Sequence, residues 1–313
     1  MKLSNCHFKS RLSGNCAGKD GRFAVHCDSA FSLIEVLVVV ALLSFIVVAL
    51  MGVFSSTQSA WRANMTQTDV LESGRATTDM IAQDLALAAS SGVSSNAFFP
   101  VVNLSITNFS GYFALEQPLV GGGTRTNVLQ NFFILSHKNN RWYGTGYAVY
   151  LSPTNIYSLY RLGTPEPGYL QPSLAYSNFN NFIFNLQNGF LTAPNQAHLL
   201  DGVVHLAVRT YDVNGAFITT NRANIITNAF NMNSTPIPAY VNLQFYSNSL
   251  PAAVELELGI LEDRTLQRAE SLPNDVPASP GDPRMRYLEN QAAKVHIFRQ
   301  RVPIRNFDPA AYQ

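Results

Sequence analysis

Nineteen consecutive residues without a charge, Val36 to Phe54, constrain this chain more than any other feature. Fourteen of them are Leu, Ile, Val or Phe, and nineteen is about the length a helix needs to cross a bilayer. At roughly 0.3–0.6 kcal/mol per residue, those fourteen favour membrane insertion by about 4–8 kcal/mol. The only acid near the run is Glu35, at its edge. A carboxylate at the mouth of a membrane helix is costly without a partner, which marks Glu35 as a functional candidate. The plainer alternative is an ordinary signal anchor with an interfacial glutamate.

The flanks give the run a direction. Residues 1–30 carry Lys2, Lys9, Arg11, Lys19 and Arg22 against Asp20 and Asp28. By the positive-inside rule this segment stays cytoplasmic and everything beyond Phe54 is exported. A secretory signal places its small-residue cleavage site after the apolar region; here small residues precede it. The three cysteines, Cys6, Cys16 and Cys27, all lie in this leader. Their spacing is not that of a Cys-x-x-Cys metal site. Removing the leader leaves a chain without cysteine, with sixteen basic and eighteen acidic residues. Its fold then rests on core burial alone, for which some 220 exported residues suffice. No basic cluster of the nucleic-acid-binding kind is present.

Ala30-Phe31-Ser32-Leu33-Ile34-Glu35, running straight into the apolar stretch, resembles the processing site of type IV prepilins and type II secretion pseudopilins. The resemblance implies cleavage between Ala30 and Phe31 by a prepilin peptidase, N-methylation of Phe31, and an assembly role for Glu35. It implies as partners that peptidase/N-methyltransferase, other pilin-like subunits and an inner-membrane assembly machinery. The family usually has Gly where this chain has Ala30. In a filament, Glu35 would neutralise a neighbouring subunit's amine, and such a pair is stronger in low dielectric.

No proline occurs before Pro100. One helix is therefore expected from about Phe31 to about Ser91, roughly 90 Å at 1.5 Å per residue, with Ser73-Gly74 as its likeliest bend. Residues 31–54 would span the membrane and 55–92 form an exported amphipathic half. Trp61/Met65 and Ile81/Leu85/Ala88 fall at helical spacing and are expected to pack on the domain's own sheet. Residues 93–313 read as a β-rich exported domain, with short Phe-, Tyr-, Val- and Ile-rich runs between Asn, Gly, Pro and Ser punctuation. Expected strands include Val128–His137, Trp142–Leu151, Asn155–Leu162, Phe179–Leu186 and Val203–Tyr211. Gly121-Gly-Gly and Gly144-Thr-Gly146 are read as turns, and Asn214-Gly215 as a hairpin. Val254 to Ile260 alternates, so Glu255 and Glu257 are expected to face water. Residues 273–283, with four prolines, are expected to form an exposed loop. Met285–Lys294 is read as a short helix before a last strand from Val295.

Further blocks resemble minor pseudopilin J. These are Gly74 to Ala88 with its Asp84-Leu85 pair, Leu199 to Gly215, and Leu250 to Leu258. The tail from Val295 to Arg305, and Glu262 to Arg268, resemble the Verru_Chthon cassette protein C group. Together these imply an α+β, pilin-like fold: a long N-terminal transmembrane helix packed on an antiparallel β-rich globular domain.

Signs of catalysis are scarce. There is no Gly-x-Ser-x-Gly elbow and no His-Glu-x-x-His pair. His137, His198 and His296 are isolated in sequence, and His205 alternates with apolar neighbours, so it is expected to be solvated. Asp201, Asp212 and Asp263 are candidates for calcium, but without EF-hand spacing. The expectation is a structural subunit rather than an enzyme, with no cofactor and no bound metal. It would be a single-pass inner-membrane protein with its C-terminal domain in the periplasm, in a pilus or pseudopilus. A membrane-anchored binding or adhesion module that never enters a filament is the alternative, and an anchored hydrolase a third.

Overall fold

A computed structural model describes residues 32–93, 101–108, 115–119, 121–150, 157–163, 172–188, 195–222, 224–232, 235–273 and 282–312. The chain divides into two units, Met1–Ser59 and Ala60–Gln313. One element, helix α1 (Leu33–Ala86), carries residues of both. In the first unit its side chains are exposed from Leu33 onward, and an apolar window of this helix qualifies by length and composition as a membrane span.

In the second unit α1 acquires a buried face: Val70, Thr77, Thr78, Ile81, Ala82 and Leu85. Trp61 and Met65 do not belong to it. They are 66 % and 56 % exposed, against the expectation that they pack on the sheet. The first buried turn comes only at Val70. Gly74 lies where the helix meets Phe298 and Ile260, and a Cβ there would fall on the Phe298 ring. Its role is close approach inside a continuous helix.

Eight further elements build the main sheet and its cover. These are β1 (Val102–Asn108), β4 (Gln130–Lys138), β5 (Arg141–Tyr150), β6 (Ser158–Gly163), α2 (Pro172–Gln187), β7 (Gln196–Leu200), β9 (Ile225–Met232) and β10 (Thr235–Tyr246), while the hairpin β2 (Leu115–Leu119) and β3 (Gly123–Asn127) forms a two-stranded sheet of its own. The seven-stranded sheet has the order β7-β6-β5-β4-β1-β10-β9, and the pairs are antiparallel. A smaller sheet, β12-β11-β8, is formed by β8 (Val203–Tyr211), β11 (Ala253–Leu261) and β12 (Val295–Pro303). Short helices α3 (Asp263–Glu270) and α4 (Pro283–Glu289) lie between β11 and β12 in the chain. The fold class is α+β, as the sequence implies.

Alternation along β4 sorts two cores, as the two-residue period of a strand requires. Phe132 and Ile134 join Ile81 and Leu85 of α1 and Leu206, Leu256 and Leu258 of the small sheet in one cluster. Phe133 and Leu135 face the other way, onto Ala175, Phe179 and Phe182 of α2. The large sheet is thus a middle layer.

Two expectations fail at this second core. Phe179–Leu186 is helix, not strand. Ala175, Phe179, Phe182 and Leu186 are buried at steps of four, three and four, which is the 3.6-residue period, and Pro172 opens the first turn where a missing N–H costs nothing. Gly144-Thr-Gly146 is not a turn but the middle of β5. A Cβ on Gly144 would stand 2.9 Å from the Ala175 Cβ, and one on Gly146 would overlap the Phe179 ring. The glycines let α2 lie down on the sheet. The tight turn of that hairpin is Asn139-Asn140, both at positive φ. Asn214-Gly215 does turn the chain, closed by a Gly215 N–H to Asp212 carbonyl bond and a Tyr211–Phe217 bridge. The proline-rich segment falls largely, at 274–281, outside the described residues.

Candidate functional site at the head of the N-terminal helix

The first turn of α1 is closed by its own side chains. Ser32 stands at the N-cap and Glu35 three residues into the helix. The Ser32 backbone N–H donates to Glu35 Oε2 at 3.1 Å, and the Ser32 hydroxyl donates to the same oxygen at 3.1 Å. The Glu35 N–H in turn lies 3.4 Å from Ser32 Oγ. This is a capping box: two of the four N–H groups that a helix start leaves unsatisfied are bonded reciprocally. Ser32-x-x-Glu35 ahead of an apolar run is the sequence signature of such a box. Glu35 also places a negative charge at the positive end of the helix dipole. Ala30 and Phe31 lie outside the described residues. The Glu35 carboxylate bonds only to Ser32 among the described residues and is exposed, so it is accessible to an approaching cation.

From Val36 to Phe54 the helix presents uncharged, largely apolar surface. Its hydroxyls turn inward on the backbone, Ser44 to the Val40 carbonyl at 2.8 Å and Thr57 to Val53 at 2.9 Å. A membrane helix hides polar side chains in this way.

The remaining titratable candidates are in the second unit. His205 is 2 % exposed and Glu257 4 %, so neither faces water as expected. The reason is sheet position: β11 is the central strand, and Glu257 pairs across to Arg299 of β12. Arg209 Nη1 reaches Glu255 at 3.1 Å and Glu257 at 2.7 Å, and Arg299 closes on Glu257 from the other side. His205 Nδ1 accepts from the Val128 N–H at 3.1 Å, and its Nε2 lies 3.4 Å from Glu257 Oε2. The Nδ1 lone pair is thereby occupied, which assigns the proton of the neutral ring to Nε2. Burial would push the Glu257 carboxyl up, but the His205 hydrogen bond and the Arg209 and Arg299 guanidiniums overcome it and hold it at about 2. Burial pushes the His205 imidazole down. The contact is therefore a neutral imidazole donating to a carboxylate. No local sequence signal links these residues, because the β8–β11 register brings them together.

Ser158, His198 and Asp201 also meet, but in the wrong order for nucleophilic catalysis. Asp201 Oδ1 accepts from Ser158 Oγ at 2.5 Å and lies 2.8 Å from His198 Nε2. A triad needs the imidazole between the acid and the hydroxyl; here the acid is central. Asp212 caps its own turn, accepting from the Asn214 and Ala216 N–H groups, and Asp263 opens α3. Among the described residues, no three His, Cys, Asp or Glu side chains gather to hold a metal. Asp84 pins the end of α1 to the large sheet through Arg161 at 3.0 Å and the Tyr147 hydroxyl. Burial first, then Asp84, push that phenol well above its ordinary range.

Comparison with known proteins bears on the head of α1. Residues 26–51 match the family model of the prokaryotic N-terminal methylation motif. No curated protein and no solved structure matches the chain. The motif implies processing by a prepilin peptidase and assembly with other pilin subunits, and with a single apolar N-terminal helix it fits a membrane-anchored protein. That motif, with the long helix and antiparallel β domain that follow it, supports a type IV prepilin-like protein.

Proposed function

We infer that the chain is a minor, pseudopilin-type structural subunit of a pilus or type II secretion-like pseudopilus, and not an enzyme. It is cut between Ala30 and Phe31, methylated on Phe31, and held until assembly as a single-pass inner-membrane protein with residues 55–313 in the periplasm. The observation that carries this reading is the coincidence of the methylation motif with an uncharged membrane-length run. That run has no partner within its own chain among the described residues. Its apolar surface is satisfied first by lipid and then by neighbouring helices, which associate through close packing. Glu35 supplies the one directional contact, a carboxylate for the amine of the adjacent subunit. A β domain of this size would crowd a repeating shaft, which favours a minor, tip-proximal position over the major one.

Mass spectrometry of the protein recovered from membranes tests the reading. The expected N-terminus is Phe31 bearing one methyl group. Recovery of the chain only with its leader attached would overturn it in favour of a plain membrane-anchored binding module.

A further inference from the structure

Charge is absent from long parts of the second unit. Residues 85–115, 167–200 and 223–254 contain no Asp, Glu, Lys or Arg. In the fold these three runs converge, because they supply β1, α2, β9 and β10. The strands β1, β10 and β9 are neighbours in the large sheet, and α2 lies on the face of that sheet which holds Phe133 and Leu135. On the same face Ser105 stands opposite both Phe133 and Gln244, so Gln244, and by alternation Asn242 and Tyr246, line the floor beside the helix.

The side chains of this shelf are amides, hydroxyls and phenols. Tyr176 of α2 leans onto it: its hydroxyl accepts from Gln244 Nε2 at 2.7 Å and lies 3.3 Å from Ser105 Oγ. The Tyr246 hydroxyl donates to Gln244 Oε1. Asn242 Oδ1 accepts from the Asn108 N–H and side-chain amide, each at 2.8 Å. Asn242, Gln244, Tyr246 and Tyr176 are all half-buried, and neighbouring Ile226 is 47 % exposed. One member of the same face is unsatisfied: Asn131, opposite Thr107 and only 2 % exposed, has an Oδ1 without a hydrogen-bond partner. Buried polar atoms are normally paired, and this unpaired acceptor lies on the shelf's own sheet face, beneath its surface.

We propose that the shelf between α2 and β10 binds a neutral saccharide chain. The ligand class follows from the chemistry. An amide presents donors and an acceptor side by side, which suits vicinal hydroxyls, and tyrosines add a flat apolar body with a polar tip. The elements that build the shelf, β1, α2, β9 and β10, contain no Asp, Glu, Lys or Arg to bind an ion. This site is independent of the filament reading.

Saturation-transfer NMR on the full chain in lipid nanodiscs tests it, with cellohexaose, maltohexaose and chitohexaose as probes and a heparin-derived hexasaccharide as the charged control. At least one neutral sugar is expected to bind, with an affinity that changes by less than about twofold as salt is raised, since screening acts on charges. Gln244→Glu is expected to weaken binding about tenfold or more by placing a charge on the shelf. Tyr176→Phe, which keeps the ring, serves as a second variant should the first not fold, and is expected to weaken binding by a smaller factor. Binding of the heparin fragment alone, of no sugar, or of a neutral sugar equally well by the folded variants would overturn the proposal.

Discussion

The acid stability of the exported domain depends on Glu257. Its carboxyl ionises at about 2 in the folded protein against an ordinary 4.5. At ~1.4 kcal/mol per tenfold change in acidity, that difference is worth roughly 3 kcal/mol of folding stability. The folded-state value is the lower one, so the contribution is complete above about 4.5 and is lost as the pH falls towards 2. His205 adds a loss of its own at higher pH. Its folded-state value lies below 6.5, so below about 6.5 the unfolded chain takes up a proton that the folded chain refuses, and stability begins to decline. Protonation of the ring would also turn Nδ1 from acceptor to donor and break its bond to the Val128 N–H. Thermal unfolding of the full chain in a non-ionic detergent, followed by near-ultraviolet circular dichroism, measures both steps. For a domain of this size, roughly 3 kcal/mol corresponds to a fall in Tm of about 6–12 °C. Glu257→Gln removes the titrating group, so its Tm is lower at neutral pH and its curve flatter between pH 4.5 and 2. Parallel curves for the two proteins across that window would refute the role given to Arg209, Arg299 and His205.

Other substitutions probe the remaining contacts. Glu35→Ala deletes the capping box and is expected to weaken the first turn of α1 by about 0.5–2 kcal/mol, read as faster amide exchange near Ser32, and to lower the subunit's share of assembled filaments. Gly146→Ala sets a methyl group into the Phe179 ring and is expected to cost about 1–3 kcal/mol, seen as a lower Tm without loss of secondary structure. Asp84→Asn leaves Arg161 without its counter-ion at a half-buried site. A loss of about 1–3 kcal/mol is expected, between the values for exposed and buried pairs, and denaturant titration would measure it.

What could be read from the sequence was what depends on near neighbours in the chain. The apolar run, the turn at Asn214-Gly215 and the alternation of β11 are local patterns that the fold bears out, and the methylation motif is a local pattern that the family model matches. Phe179–Leu186 went wrong because a short apolar, aromatic stretch satisfies both periods until a partner surface chooses. The choice was made by Gly144 and Gly146 some thirty residues earlier, whose meaning as a bed for α2 appears only once the two are stacked. Glu257 and His205 were misplaced for a related reason: alternation tells which face a residue takes, not whether that face meets solvent. Only the position of β11 between two strands, with Val128 lying against β8, puts them under cover.

Every described side chain of α1 from Ser55 to Asp69 is exposed, so this length of helix draws nothing from tertiary burial. Helical stability in proteins comes mostly from such burial, and here the stretch persists by propagation from the turns on either side of it. Outside the membrane-length run, it has less tertiary support than any other described stretch of α1. Native-state exchange should find its amides opening well before those of Ile81 or Leu85, which makes it a fuse: a load on the protein would melt these turns first and leave the β core whole.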